Sequence, residues 1–204
     1  MTTACQFSDD PPVTSRLFQI AIRFLLASLL LGGMLAAPAV HAAEIEIQQA
    51  QLIATEEDYR LASSFSFELK RVLEDALNRG VPLYFTTDVE LNRPRWYWFD
   101  ENTVSASHTI RLSYNVLTRQ YYATVEGSLR QGFSSLDDVL ALVRRPARWL
   151  VADKETLKAG ANYQVKVRMR LDVTQLPKPF QVNAINDSDW HLSSSWKTFT
   201  YKAE

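Results

Sequence analysis

Residues 163–171 alternate strictly between two kinds of side chain. The odd-numbered residues are apolar or aromatic, and the even-numbered ones are Gln164, Lys166, Arg168 and Arg170. Successive side chains of a β-strand point to opposite faces, so this pattern places every apolar group on one side. The segment therefore predicts a strand in a sheet that has one buried face and one solvated face.

The same period of two recurs along the chain and predicts most of the remaining strands. It is found at 44–48, 59–68, 83–91 and 190–201, and in both arms of a long antiparallel hairpin over 105–131. Two segments instead follow the helical period. Leu69, Val72, Leu73, Ala76 and Leu77 form one apolar stripe, which Gly80 and Pro82 end.

A second helix is predicted to begin after Ser134 or Ser135 and to end before Pro146. Asp137 and Asp138 in its first turn complement the helix dipole. Residues 179–185 are compatible with a further short helix. About eight strands and two main helices predict an antiparallel, β-rich α+β domain. A sandwich and one curved sheet with helices across a face fit the pattern equally well.

The first 42 residues have the features of a secretory signal peptide. Arg16 and Arg23 precede an apolar run over 24–37, and small residues lead to a cleavage site after Ala42. We therefore expect a signal peptide over 1–42 and a single exported, periplasmic domain over 43–204. The alternative is an uncleaved inner-membrane anchor, although about 14 apolar residues fall short of the roughly 20 that span a bilayer. Membrane contact is expected only in that case.

Composition excludes several function classes. The only cysteine, Cys5, lies in the predicted signal segment, so the domain has no disulfide and no thiol nucleophile. The formal net charge of −1 gives no indication of nucleic-acid binding. His108 and His191 are far apart in sequence and have no ligand-spaced neighbours, so no metal or other cofactor is predicted.

Several strings resemble the bacterial family of exported proteins of unknown function, DUF4390. They are RWYWFD at 95–100, LSYNVLTRQY at 112–121, FSSLD at 133–137, LD at 171–172, LPKPFQV at 176–182 and WHLSSSW at 190–196. The resemblance covers nearly all of 43–204 and implies a signal peptide followed by one domain, with no catalytic residues. Genes of such proteins are often found near that of a membrane sensor kinase, which implies this kinase as a partner and a role in envelope signalling.

The cationic residues of the opening segment are the first candidate site. Lys166, Arg168 and Arg170 would stand about 6.5 Å apart on one strand face. They form either a solvated face paired with acids such as Glu126, or a groove for an anion that the arginine fork suits.

The tryptophans are the second candidate. Trp96 and Trp98, with Trp149, Trp190 and Trp196, either fill the core or lie beside the cationic residues as a binding patch. The leading hypothesis is a non-enzymatic envelope module that binds a protein partner or an anionic ligand. The alternative is a periplasmic hydrolase acting on glycan or lipid, which would need two carboxylates, or Ser and His, in one pocket.

Overall fold

The computed structural model describes residues 45–94, 101–126 and 128–204, which lie in one compact unit, Ala43–Glu204. The predicted signal segment, Trp96 and Trp98 lie outside the described residues. The strands are β1 (Glu46–Ala54), β2 (Asp58–Ser66), β3 (Leu83–Arg93), β4 (Glu101–Asn115), β5 (Gln120–Val125), β6 (Gln131–Phe133), β7 (Trp149–Asp153), β8 (Asn162–Leu171) and β9 (Lys197–Lys202). The α-helices are α1 (Arg71–Asn78), α2 (Leu136–Arg144) and α3 (Lys178–Asn186).

The described strands form two antiparallel sheets. The smaller sheet has the order β1-β2-β7, and the larger has the order β6-β5-β4-β3-β8-β9. The predicted antiparallel, β-rich α+β class is confirmed.

Strand β8 has the predicted two-sided character. Its apolar residues, Tyr163, Val165, Val167, Met169 and Leu171, are at most 5% exposed, while the polar residues between them are partly exposed. Each such aliphatic side chain contributes roughly 1.5–3 kcal/mol when it leaves water. Burial of this one face therefore fixes the register of β8, because a slip of one residue would bury the cations instead.

The smaller sheet and the helices each cover part of the apolar face of the larger sheet. The fold therefore combines the two predicted architectures, the sandwich and the sheet with helices across one face. At one end the smaller sheet packs on the larger one, with Tyr59 and Leu61 in one core cluster with Val165. At the other end helices cover it: Leu77 of α1 and Val143 of α2 belong to a second cluster, with Met169 and Phe85 of the large sheet. The domain is thus a sandwich at one end and a sheet covered by helices at the other.

The ends of the first two helices follow from their sequences. The backbone N–H of Gly80 donates to Leu77 and that of Val81 to Ala76, and Gly80 has φ +89°, which together make a Schellman end to α1. Ser135 is the N-cap of α2, and its side chain accepts from the backbone N–H of Asp138. No helix in the described ranges is long and apolar enough to cross a membrane.

Two strands begin or end at residues that differ from the predicted ones. The hairpin arm ends at Val125, and Leu129, which continued its alternation, is 88% exposed. The last strand begins only at Lys197, because Ser188–Trp190 form a 3-10 helix that buries Trp190. The 3-10 turn satisfies its backbone groups locally, for example through the Asp187 side chain, which accepts from the N–H of Asp189.

Candidate functional site

The pairing of β8 with β3 determines what surrounds the cationic residues. Arg168 lies opposite Asp88 and Lys166 opposite Glu90, on the face of the large sheet that points away from the core. This polar side of β3, β8 and β9 is called the outer face below. Each cation of β8 therefore has polar or acidic neighbours on the adjacent strand.

Asp88 is the centre of a charged cluster on the outer face. One of its carboxylate oxygens, Oδ2, accepts from Arg168 Nη2 at 3.2 Å and from Arg170 Nε at 2.9 Å. The other oxygen accepts from the Ser107 hydroxyl at 3.0 Å. The Asp88 side chain is only 15% exposed, whereas Arg168 and Arg170 are 34% and 32% exposed. The acid thus holds both guanidinium groups in place at a partly solvated surface.

A second carboxylate holds Arg170 from its other side. Arg170 Nη1 lies 3.1 Å from Asp172 Oδ1, and Asp172 also accepts from Thr174 and from Gln175 Nε2. Burial acts to raise the pKa of Asp172, but hydrogen bonds from Gln175 and Thr174 and the charge of Arg170 outweigh it and lower the pKa. Burial likewise acts to lower the pKa of Arg170, and the two acids raise it instead.

The acids that pair with Arg168 and Arg170 are therefore Asp88 and Asp172. The prediction that Glu126 is such a partner is wrong. Glu126 follows β5, which β4 and β3 separate from β8. Glu126 instead lines a shallow hollow of about 360 Å³ with Tyr84 and Arg111.

Trp196 joins the cationic residues. The guanidinium carbon of Arg168 lies 4.5 Å from the centroid of the Trp196 ring, which is 38% exposed. Trp149 and Trp190, by contrast, are 9% and 5% exposed. Arg168 Nε is buried without a hydrogen-bond partner among the described residues. The patch of Lys166, Arg168, Arg170, Asp88 and Trp196 is called the Arg168 patch.

The arrangement of the acids bears on catalysis and on metal binding. In the described part of the chain, no three His, Cys, Asp or Glu residues are close enough to hold a metal ion. Arg170 forms an ion pair with both Asp88 and Asp172, so its guanidinium lies between the two carboxylates. The lowered pKa of Asp172 keeps it ionised, whereas a general acid for glycoside hydrolysis needs a raised pKa.

A comparison with protein-family models identifies the domain that carries these residues. The model described as "Domain of unknown function (DUF4390)" matches residues 42–200. The chain belongs to the DUF4390 family. This confirms the resemblance seen in the sequence, and the Arg168 patch lies wholly inside the DUF4390 match. Searches of curated proteins and of solved structures found no match to the chain.

Proposed function

We propose that this DUF4390 protein is a non-enzymatic module of the bacterial envelope that binds a partner protein through the Arg168 patch. The observation that carries the proposal is the stacking of a partly exposed Arg168 on a partly exposed Trp196. Tryptophan and arginine are the side chains most enriched among the residues that dominate binding energy.

The patch is also held in one geometry. Asp88 fixes Arg168 and Arg170 from the side, and Trp196 supports the flat face of the Arg168 guanidinium. Ordering a long side chain on binding costs about 0.5–1.5 kcal/mol, so a side chain that is already ordered binds at a smaller cost. This arrangement favours recognition over a purely solvating role.

Charge balance favours a protein over a polyanion as the ligand. Around the Arg168 patch, Lys166, Arg168 and Arg170 carry three positive charges, and Asp88, Glu90 and Asp172 carry three negative ones; Lys202 lies further off, at the far end of β9. A highly charged anion would meet this neutral surface without a strong field to attract it. A protein that presents a carboxylate beside an apolar side chain matches both Arg168 and Trp196.

The location and the partner class rest on the sequence. The signal-like segment over 1–42 supports export to the periplasm, with inner-membrane anchoring if that segment stays uncleaved. A membrane sensor kinase is then a suitable partner, because its extracytoplasmic part would face the same compartment.

A photocrosslinking experiment in intact cells tests the proposal. A photoreactive residue at Thr198, an exposed position beside Lys166, should capture a discrete protein. The same residue at Leu150, on the smaller sheet and 51% exposed, is the control and should not capture it. The double variant R168Q/W196A should abolish the Thr198 product. Identical products at both positions, or a product that survives the double variant, would contradict the proposal.

A further inference from the structure

A cavity of about 280 Å³ opens on the other side of the large sheet, away from the Arg168 patch. Its walls come from β4, β5, β6, β7 and α2 and are mostly apolar. Ile110, Val125, Leu142 and Trp149 supply most of that wall. The cavity is larger than the engineered one of about 150 Å³ that holds benzene, and it is just below the range of roughly 300–1,000 Å³ for natural ligand sites.

The polar groups around the cavity are mainly hydrogen-bond donors. Trp149 is 9% exposed, and its indole N–H has no acceptor among the described residues. Because that nitrogen is itself buried, Trp149 offers the cavity its apolar ring rather than its donor. Arg148 and Gln131, both exposed, also line the cavity, and none of its lining residues is Asp or Glu.

His108 completes the wall. Its ring stacks on Trp149 with centroids 5.1 Å apart and planes 12° apart. Burial lowers the pKa of His108, against the opposing charge of Glu126, so the imidazole is neutral at pH 7. A neutral ring beside an indole gives a flat aromatic surface, which suits an apolar ligand better than a charged imidazolium would.

We infer that this cavity binds a small apolar carboxylate, with one ring or a chain of about six to eight carbons. The apolar body would lie against Ile110, Val125 and Leu142. The carboxylate would pair with the guanidinium of Arg148, which lines the cavity and is exposed. The inference is independent of the proposed function, because it uses different residues on a different face.

Octanoate and n-octylamine are matched probes, since they share a chain and differ in the sign of the charge. We would titrate each into full-length protein with ¹⁵N-labelled tryptophan and follow the indole resonances, with W149F assigning that of Trp149. Octanoate should shift the Trp149 resonance saturably and leave that of Trp196 unmoved, and octylamine should not shift Trp149. No shift up to about 10 mM octanoate, or an equal shift with octylamine, would overturn the inference.

Two variants locate the site. R148Q should weaken octanoate binding about two- to fivefold, the range for an exposed ion pair, and R145Q is its matched control because Arg145 is exposed and outside the cavity wall. L142W should fill the cavity and abolish binding, with the resonance of buried Trp190 reporting whether the fold is intact. Equal affinities of R148Q and R145Q would overturn the carboxylate assignment even if L142W does not fold.

Discussion

Arg168 and Trp196 form a cation–π pair across the outer face, with the guanidinium carbon 4.5 Å from the ring centroid. Trp196 reaches this position because Thr198 and Thr200 of β9 lie opposite Lys166 and Gln164, so every second residue here is on the outer face. The pair connects the residue that precedes edge strand β9 to the neighbouring strand β8.

A double-mutant cycle on this pair should show coupling. We expect R168Q and W196A to interact by about 0.5–1 kcal/mol in the free energy of unfolding, the range for a cation–π contact at an exposed site. Urea titration of both single variants and the double variant measures it. Strictly additive effects would show that the two side chains do not support each other in solution.

Arg170 should matter more for stability than Arg168. R170Q leaves Asp88 with only one guanidinium and Asp172 with none, and these acids are 15% and 10% exposed. Removing one partner of a buried pair costs about 3–5 kcal/mol and of a surface pair about 0–1 kcal/mol, so we expect about 1–3 kcal/mol here. Urea unfolding against the exposed-arginine variant R145Q measures the loss. A cost equal to that of R145Q would mean that water replaces Arg170 at both acids.

Asp172 should make stability depend on acidic pH. Its pKa is lower in the folded protein than in the unfolded chain, so its contribution is present above about pH 4 and is lost as pH falls through the folded value. D172N, which keeps the shape but not the charge, should be about 1 kcal/mol less stable at pH 6. Unfolding curves at several pH values should show this difference closing below pH 4. If the difference in unfolding free energy between D172N and the wild type stays constant with pH, the loss does not come from the charge of Asp172.

Local pattern was sufficient to predict β8, β3 and the two main helices. In those elements one face is buried, so the hydrophobic period follows directly from the packing. The acid that holds Arg168 was not predictable in the same way, because the β3–β8 neighbour relation depends on the whole chain. The alternation of Asp88 and Glu90 in 83–91 was the available signal, since it placed acids on the solvated face of another strand.

Trp196 and the cavity show the same limit. The sequence could not distinguish buried from exposed tryptophans. A single strand was predicted over 190–201, whereas Trp190 lies in a 3-10 helix and is buried. The cavity beside Trp149 is formed by four strands and a helix from distant parts of the chain. The hydrophobic period describes the faces of a single strand or helix, so it cannot predict a cavity that forms between several of them.

Gly80 should be difficult to replace although there is room for a side chain. A Cβ at this position would meet only the Tyr114 carbonyl oxygen, at 3.9 Å, but its φ of +89° disfavours any L side chain. We expect G80A to cost about 1–2 kcal/mol in the free energy of unfolding. G132A is the control, since Gly132 does not have a positive φ and its Cβ would meet the Tyr122 ring at an ordinary 3.4 Å. Equal costs for the two variants would show that α1 does not depend on this glycine.

His108 should titrate below its usual range and destabilise the protein when it is protonated. Burial lowers its pKa, and Glu126 opposes this, so the folded state favours the neutral ring. The contribution of His108 is therefore present above about pH 6.5 and is lost as pH falls from there toward the folded value. NMR titration of the imidazole should give a midpoint below 6.5.

E126Q tests the cause of that shift. Removing the Glu126 charge removes the one influence that raises the pKa of His108, so the midpoint should fall further. H108Q, which does not titrate, should lose less stability than the wild type between pH 7 and pH 5. An imidazole midpoint at or above 6.5 would mean that water solvates the ring, and the flat apolar wall shared with Trp149 would then not exist in solution.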